Sequence, residues 1–209
     1  MPRIPDPPPG PFPGLGVAKL ALRDQLLTTR HRRSLIEMGQ AGQAIAEHLL
    51  AHPEVRRAAT VAAYVSLPGE PGTGVLLDAL HDAGKRVILP LLQPDDDLDW
   101  AVYRGPDSLV PARRGLLEPV GTPLGPDAIG TADCVIVPGL AVDRTGLRLG
   151  RGGGSYDRAL GRVPVGTFTC VVLHASEVRD EVPADPHDRQ VTAVVTEDGL
   201  LRFRRSMSA

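Results

Sequence analysis

No apolar run in this chain of 209 residues approaches the roughly 18 that a membrane-spanning helix requires, so nothing in it reads as a transmembrane segment. Cysteine is nearly absent. The two present, Cys134 and Cys170, lie in the apolar segments CVIVPGL and TCVVL, where a thiol behaves as a small hydrophobe, and their separation matches no zinc pattern. Net charge is also lacking: a formal value of -2 argues against a partner held by bulk electrostatics, such as nucleic acid, and means that any anion site must be local. Lysine is scarce too, with only Lys19 and Lys85 among 23 basic residues, a bias toward arginine codons. The first residues, MPRIPDPPPGPFPG, contain seven prolines and no apolar core of a signal peptide. They read as a flexible polyproline-type tail over residues 1–16, and a cytoplasmic location is expected. The whole chain is of ordinary globular composition, 42% hydrophobic and 23% charged, and residues 17–209 are short enough for one domain.

The pattern along the chain alternates. Val17 to about Arg33 has near-helical apolar spacing with Lys19, Arg23, Arg30 and Arg33 placed largely elsewhere, a basic amphipathic helix. SLIE at Ser34–Glu37 is a capping box, which predicts a second helix from Leu35 to about Ala51, ended by Pro53. AATVAAYVSL from Ala58 lacks helical period and reads as a strand covered on both faces, followed by the turn-rich PGEPGTG. VLLDALHDAG reads as a helix with a glycine stop, and KRVILPLL as a buried strand ended by Pro90 and Pro94. LDWAVY is a further candidate strand; residues 105–130 show turns and no clear element. In the final third CVIVPGLAV, TFTCVVL and VTAVVTE read as strands, and SYDRAL starts a helix. Strands alternating with helices predict an α/β layered, Rossmann-like fold, a largely parallel sheet flanked by helices in a single domain.

RLGRGGG at Arg148–Gly154 places four glycines and two arginines between a strand and a helix. Glycines let an anion approach main-chain N–H groups, a following helix adds unpaired donors, and Arg148 and Arg151 add charge, so the stretch suits a phosphate; it equally suits a tight turn. It is neither a P-loop, since no Lys-Ser/Thr follows, nor a dinucleotide fingerprint, since Ser155 stands where a glycine is needed.

In order and context, KLALR, YVSLPGEPGT, RVILP, GLLEP, VPGLAVDRTGLRLGRGGGSYDRAL, PHD and VVTE resemble the 5-formyltetrahydrofolate cyclo-ligases, from about Lys19 to Glu197. The resemblance implies ATP-dependent closure of 5-formyltetrahydrofolate to 5,10-methenyltetrahydrofolate, with release of ADP and phosphate, Mg2+ as cofactor and phosphorylation of the formyl oxygen. It implies ATP contacts at Lys19, Arg23 and Arg148, Leu149, Gly150, Arg151, Gly152, Gly153, Gly154, Ser155 and Tyr156, with Arg151 and Tyr156 as catalytic residues. Folate contacts are implied at Val65, Glu70 and Arg151–Ser155, and Mg2+ ligands at Asp157 and Asp188. A monomer with no nucleic-acid or membrane partner is expected.

Each of these residues also has a plainer reading. Lys19 and Arg23, one turn apart, make a solvated helix face; Asp157 makes a helix cap; Glu70 makes an exposed turn. Asp143 is a rival metal ligand, ranked behind Asp157 and Asp188. His187 reads as a surface residue, His174 as a satisfied strand-end histidine, and Asp95–Asp97 as a solvated turn. Ser155 stands where the family has the first of two tyrosines, so one aromatic wall of the folate site is missing; its hydroxyl is expected to cap a helix beginning at Tyr156. The competing functional readings are a noncatalytic folate or nucleotide binder of the same fold and an ATP-independent sugar-phosphate or CoA-handling enzyme.

Overall fold

The computed structural model describes residues 13–203 apart from Pro186, so residues 1–12 of the expected tail lie outside the described residues. Helix α1 (Pro13–His31) starts four residues before the expected Val17. A proline is at ease in a first turn, where its missing N–H has no helical partner to lose. Helix α2 (Leu35–Ala51) has the expected bounds, because the capping box forms: Glu37 N donates to Ser34 Oγ at 3.2 Å and Ser34 N donates to Glu37 Oε2 at 2.8 Å. Pro53 ends α2 and also opens a short helix, α3 (Pro53–Arg57), that sequence reasoning does not foresee.

Then follow β1 (Thr60–Ala62), α4 (Gly74–Asp82), β2 (Arg86–Leu92) and β3 (Leu98–Val102). Residues 105–130 contain a small hairpin of β4 (Leu109–Pro111) and β5 (Leu117–Pro119). Next come β6 (Cys134–Pro138), the hairpin of β7 (Ala141–Val142) and β8 (Arg148–Leu149), and α5 (Ser155–Gly161). The chain closes with β9 (Phe168–Val172), β10 (Ala193–Thr196) and β11 (Gly199–Arg202). One seven-stranded sheet runs in the order β11-β10-β9-β6-β1-β2-β3. Its five inner strands are parallel and its two edges, β3 and β11, antiparallel, so the expected largely parallel α/β sheet is present.

Two strands depart from expectation. Pro90 lies inside β2 opposite Trp100 rather than ending it. The reason is local: β1 pairs with β2 only as far as Ile88, so beyond it the strand has one open side on which a missing N–H costs nothing. CVIVPGLAV is divided, because Gly139 leaves the sheet; a Cβ there would stand 2.8 Å from Val171 Cγ2.

Alternate residues of the inner strands face opposite layers. Val61, Cys134, Ile136 and Cys170 meet α2 and α4 through Ile45, Leu49, Leu76 and Leu80, while Ala62, Val135, Val137 and Val171 meet Ala159 and Leu160 of α5. Both cysteines are fully buried, as expected of core thiols, and burial pushes them above the ordinary thiol range, Cys134 to about 12. Helix α1 belongs to neither layer. Its Leu26 packs with Leu140, Ala141, Leu149 and Val182 across the carboxyl end of the sheet. From β1 the chain fills the sheet toward β3, and from β6 toward β11, so the winding reverses between β1 and β6. A crevice outside the carboxyl ends of two such strands is where open α/β sheets bind ligands.

Candidate active site

A cavity of about 570 Å³ opens at that reversal, between the segments leaving β1 (Tyr64, Val65, Glu70) and β6 (Pro138, Gly139), beneath α1 and beside the glycine loop. All of the residues named from the resemblance line it: Lys19, Arg23, Val65, Glu70, the run Arg148–Asp157 and Asp188. The rest of the lining is leucine-rich, with Leu92, Leu98, Leu116 and Leu117, and carries Arg114 and Glu118 among them.

The loop between β8 and α5 takes its shape from Gly152 and Gly154, whose φ values of +104° and +69° disfavour any side chain. Arg23 Nε fixes it from above, donating to Gly150 O at 2.9 Å. Helix α5 is only seven residues long, so its dipole adds little, and charge on the loop has to come from side chains. Arg151 is half exposed. Arg148 is buried, with Nη2 on Asp157 Oδ1 at 2.9 Å; burial pulls its guanidinium below the usual range and Asp157 opposes this. Its Nε has no hydrogen-bond partner, and its guanidinium carbon lies 5.9 Å from the Tyr156 ring centre. Burial, and then the Glu70 charge, raises the Tyr156 phenol beyond its ordinary range, which keeps it a neutral O–H.

Lys19 is buried and its Nζ donates at 2.6 Å to both Asp185 Oδ2 and Asp188 Oδ2. Burial opposes that charge, but the two hydrogen bonds hold the ammonium above its usual range. Asp157 joins the same rim, its Oδ1 accepting from Arg189 N at 3.3 Å. Asp185, His187 and Asp188 have donor atoms within 4.8 Å of one another. Three carboxylates beside one cavity, Asp157, Asp185 and Asp188, are hard oxygen donors of the kind Mg2+ takes, so the donor chemistry fits the metal implied by the resemblance, with Asp157 standing outside the Asp185–His187–Asp188 group and paired with Arg148.

Glu70 is buried rather than an exposed turn residue. Its Oε2 accepts from Leu67 N at 2.9 Å; its Oε1 faces Arg151 Nη2 at 3.1 Å and Arg30 Nη1 at 3.8 Å. Arg30 is clamped in turn by both oxygens of Glu177, at 2.7 and 2.8 Å, and by Gly139 O at 2.7 Å.

Several expectations are corrected. Asp143 is spent on the β7–β8 turn: its Oδ1 accepts from Thr145 N, Thr145 Oγ1 and Leu147 N, and it does not line the cavity. Ser155 does not cap a helix beginning at Tyr156; α5 begins at Ser155 itself after Gly154, with no side-chain cap. His174 is fully buried with neither ring nitrogen hydrogen-bonded, and burial lowers its pKa, so it is neutral but not satisfied. Asp95–Asp97 is more than a solvated turn, since Asp97 is held by Arg162 and Asp96 by Arg114. His187, expected at the surface, is exposed and lines the cavity. Sequence reasoning missed Asp185, Glu177 and the use of Arg30. Asp185 could have been found from its place three residues before Asp188; the other two are paired across 147 positions with no local signal.

A profile of the 5-formyltetrahydrofolate cyclo-ligase family matches residues 16–197. The chain is 42% identical to the 5-formyltetrahydrofolate cyclo-ligase of Mycolicibacterium smegmatis, over 90% of this chain and 98% of that protein. It is 34% identical to the protein of the same name from Escherichia coli K12, over 80% and 94%. Among solved structures it resembles the 5,10-methenyltetrahydrofolate synthetase of Aquifex aeolicus, with a TM-score of 0.78 and 30% identity over 91% of this chain and 95% of that one.

Proposed function

The chain belongs to the 5-formyltetrahydrofolate cyclo-ligase family of enzymes, and from that membership we propose that, with Mg2+ as cofactor, it converts 5-formyltetrahydrofolate and ATP to 5,10-methenyltetrahydrofolate, ADP and phosphate. The observation that carries this reading is the joining of two unlike walls in one cavity. A glycine loop with arginines and carboxylates lines the same cavity as a leucine-rich stretch and a buried glutamate.

The N5 formyl group is an amide, too weak an electrophile for N10 to attack. Its oxygen takes the γ-phosphoryl group, ADP leaves, and the carbon becomes an imidate-like phosphate. N10 closes on that carbon, loses its proton, and the former formyl oxygen departs in phosphate. The protein's task is to place the reacting atoms and neutralise charge. Lys19 and Arg23, on one face of α1, reach toward the triphosphate, and loop N–H groups and Arg151 reach the phosphoryl group being transferred. Tyr156 offers a neutral O–H beside it. Glu70 accepts hydrogen bonds from the donor edge of the pterin, which packs on Val65 and its apolar neighbours. Asp157 and Asp188 would hold Mg2+, with Asp185 adjacent, and the ion would supply charge neutralisation at the phosphates.

Mixing the protein with 5-formyltetrahydrofolate and Mg-ATP should produce the near-ultraviolet band of the conjugated methenyl product. Growth of the band without ATP, or its absence with every component present, would refute the reading.

A further inference from the structure

Arg30 lines no part of the cavity, yet it is the buried cation behind one of its walls. A guanidinium carries five N–H donors. Nε and Nη2 are taken by Glu177 and Gly139 O, while Nη1 makes no hydrogen bond and lies 3.8 Å from Glu70 Oε1. Glu70 therefore faces two guanidinium groups of different character. Arg151 reaches it from the loop with its side chain 42% exposed, and Arg30 is held in place with its side chain 1% exposed. The balance is tight: two buried carboxylates, Glu70 and Glu177, are matched by one buried and one half-exposed cation. If Arg151 turns away to a phosphoryl group, Arg30 is the cation left at Glu70.

We propose that Arg30 is a positioning residue for the folate: a fixed counter-charge, clamped by Glu177 and Gly139 O, that holds the Glu70 carboxylate in place at the cavity while Arg151 serves the phosphate. This rests on the reading of Glu70 as the folate carboxylate. A buried charge stripped of its partner is strongly unfavourable, which is why the clamp matters to Glu70 and not only to α1.

The test is a double-mutant cycle read by calorimetric binding of 5-formyltetrahydrofolate in the presence of a saturating non-hydrolysable ATP analogue, so that Arg151 is engaged by phosphate. Arg30→Met is made together with Glu177→Gln, so that Glu177 is not left without its partner, in the parent and in a Glu70→Gln background. Arg30→Lys, which keeps the charge and sheds the fork, is read in the same two backgrounds by the same criterion. The expected result is a loss of about tenfold or more in folate affinity in the parent, little further loss once Glu70 is neutral, and ATP affinity within about twofold throughout. A loss of equal size in both backgrounds, or none in either, overturns the role of Arg30. A Glu70→Gln protein that binds folate as the parent does overturns the reading of Glu70 itself.

Discussion

Replacing Lys19 by methionine removes one charge from the contact between α1 and the 185–189 segment and leaves much of the side-chain volume in place. Lys19 Nζ donates at 2.6 Å to Asp185 and Asp188. Only the Asp188 bond is shielded at both ends, with side chains 7% and 11% exposed, so it alone is assigned a magnitude, about 1.5–3 kcal/mol for a hydrogen bond to a charged group. The Asp185 side chain is more open, 29% exposed, and an ion pair nearer solvent adds less. In a domain of this size the variant should melt about 3–12 °C lower at neutral pH. The pH dependence supplies a second signature. Hydrogen bonding to Lys19 holds Asp185 below the usual carboxylate range, so its contribution is present above about pH 4 and is lost as pH falls through the depressed value of the folded state. Lys19 itself is held above its usual range and loses its contribution only as pH rises through that raised value, in strong alkali. The stability gap between parent and variant is therefore full at pH 7 and narrows in acid only by the small share that Asp185 contributes. Thermal melts from pH 3 to 8 measure it; equal melting temperatures at pH 7, or a gap that widens in acid, would refute the reasoning.

Gly146→Ala should destabilise by more than about 2 kcal/mol in denaturant melts, since its φ is +88° and the new Cβ would collide with Val191 O; a neutral result would mean that the β7–β8 turn yields freely. Asp157→Asn and Asp188→Asn should each raise the Mg2+ concentration needed for half-maximal turnover, while Asp143→Asn lowers the melting temperature without moving that requirement. A Mg2+ titration that shifts only for Asp143→Asn reverses the assignment. Ser155→Tyr should tighten apparent folate affinity by up to about tenfold, because an aromatic face on the pterin adds on the order of 1 kcal/mol beyond area. With no cap bond at Ser155 to lose, its melting temperature should hold; an unchanged or weaker folate constant with an intact fold would show that residue 155 does not meet the pterin.

The parts of the fold that were legible in the sequence are those with local causes. The Ser34–Glu37 box sets the start of α2 through two short-range hydrogen bonds, and the apolar runs of β6, β9 and β10 are buried on both faces because helices cover both sides of the sheet. Pro90 misled because its tolerance depends on where the neighbouring strand stops, a fact no window of residues contains. The candidate site divides in the same way. The glycine loop announces itself in one stretch of sequence, whereas the Lys19 contact with Asp185 spans 166 positions and the Arg30 clamp on Glu177 spans 147. Charges that meet only through the winding of the sheet leave no periodicity, so Arg30 reads as one more basic residue on an amphipathic helix until Glu70 and Glu177 are seen against it.

The central claim is that ATP activates the formyl oxygen itself, inside one cavity that holds both substrates. It is tested by turnover of 5-formyltetrahydrofolate carrying oxygen-18 in the formyl group, with mass analysis of the phosphate released. The account predicts one labelled oxygen in each phosphate formed, in step with ADP and methenyl product. Unlabelled phosphate, with the label recovered in water, would contradict it.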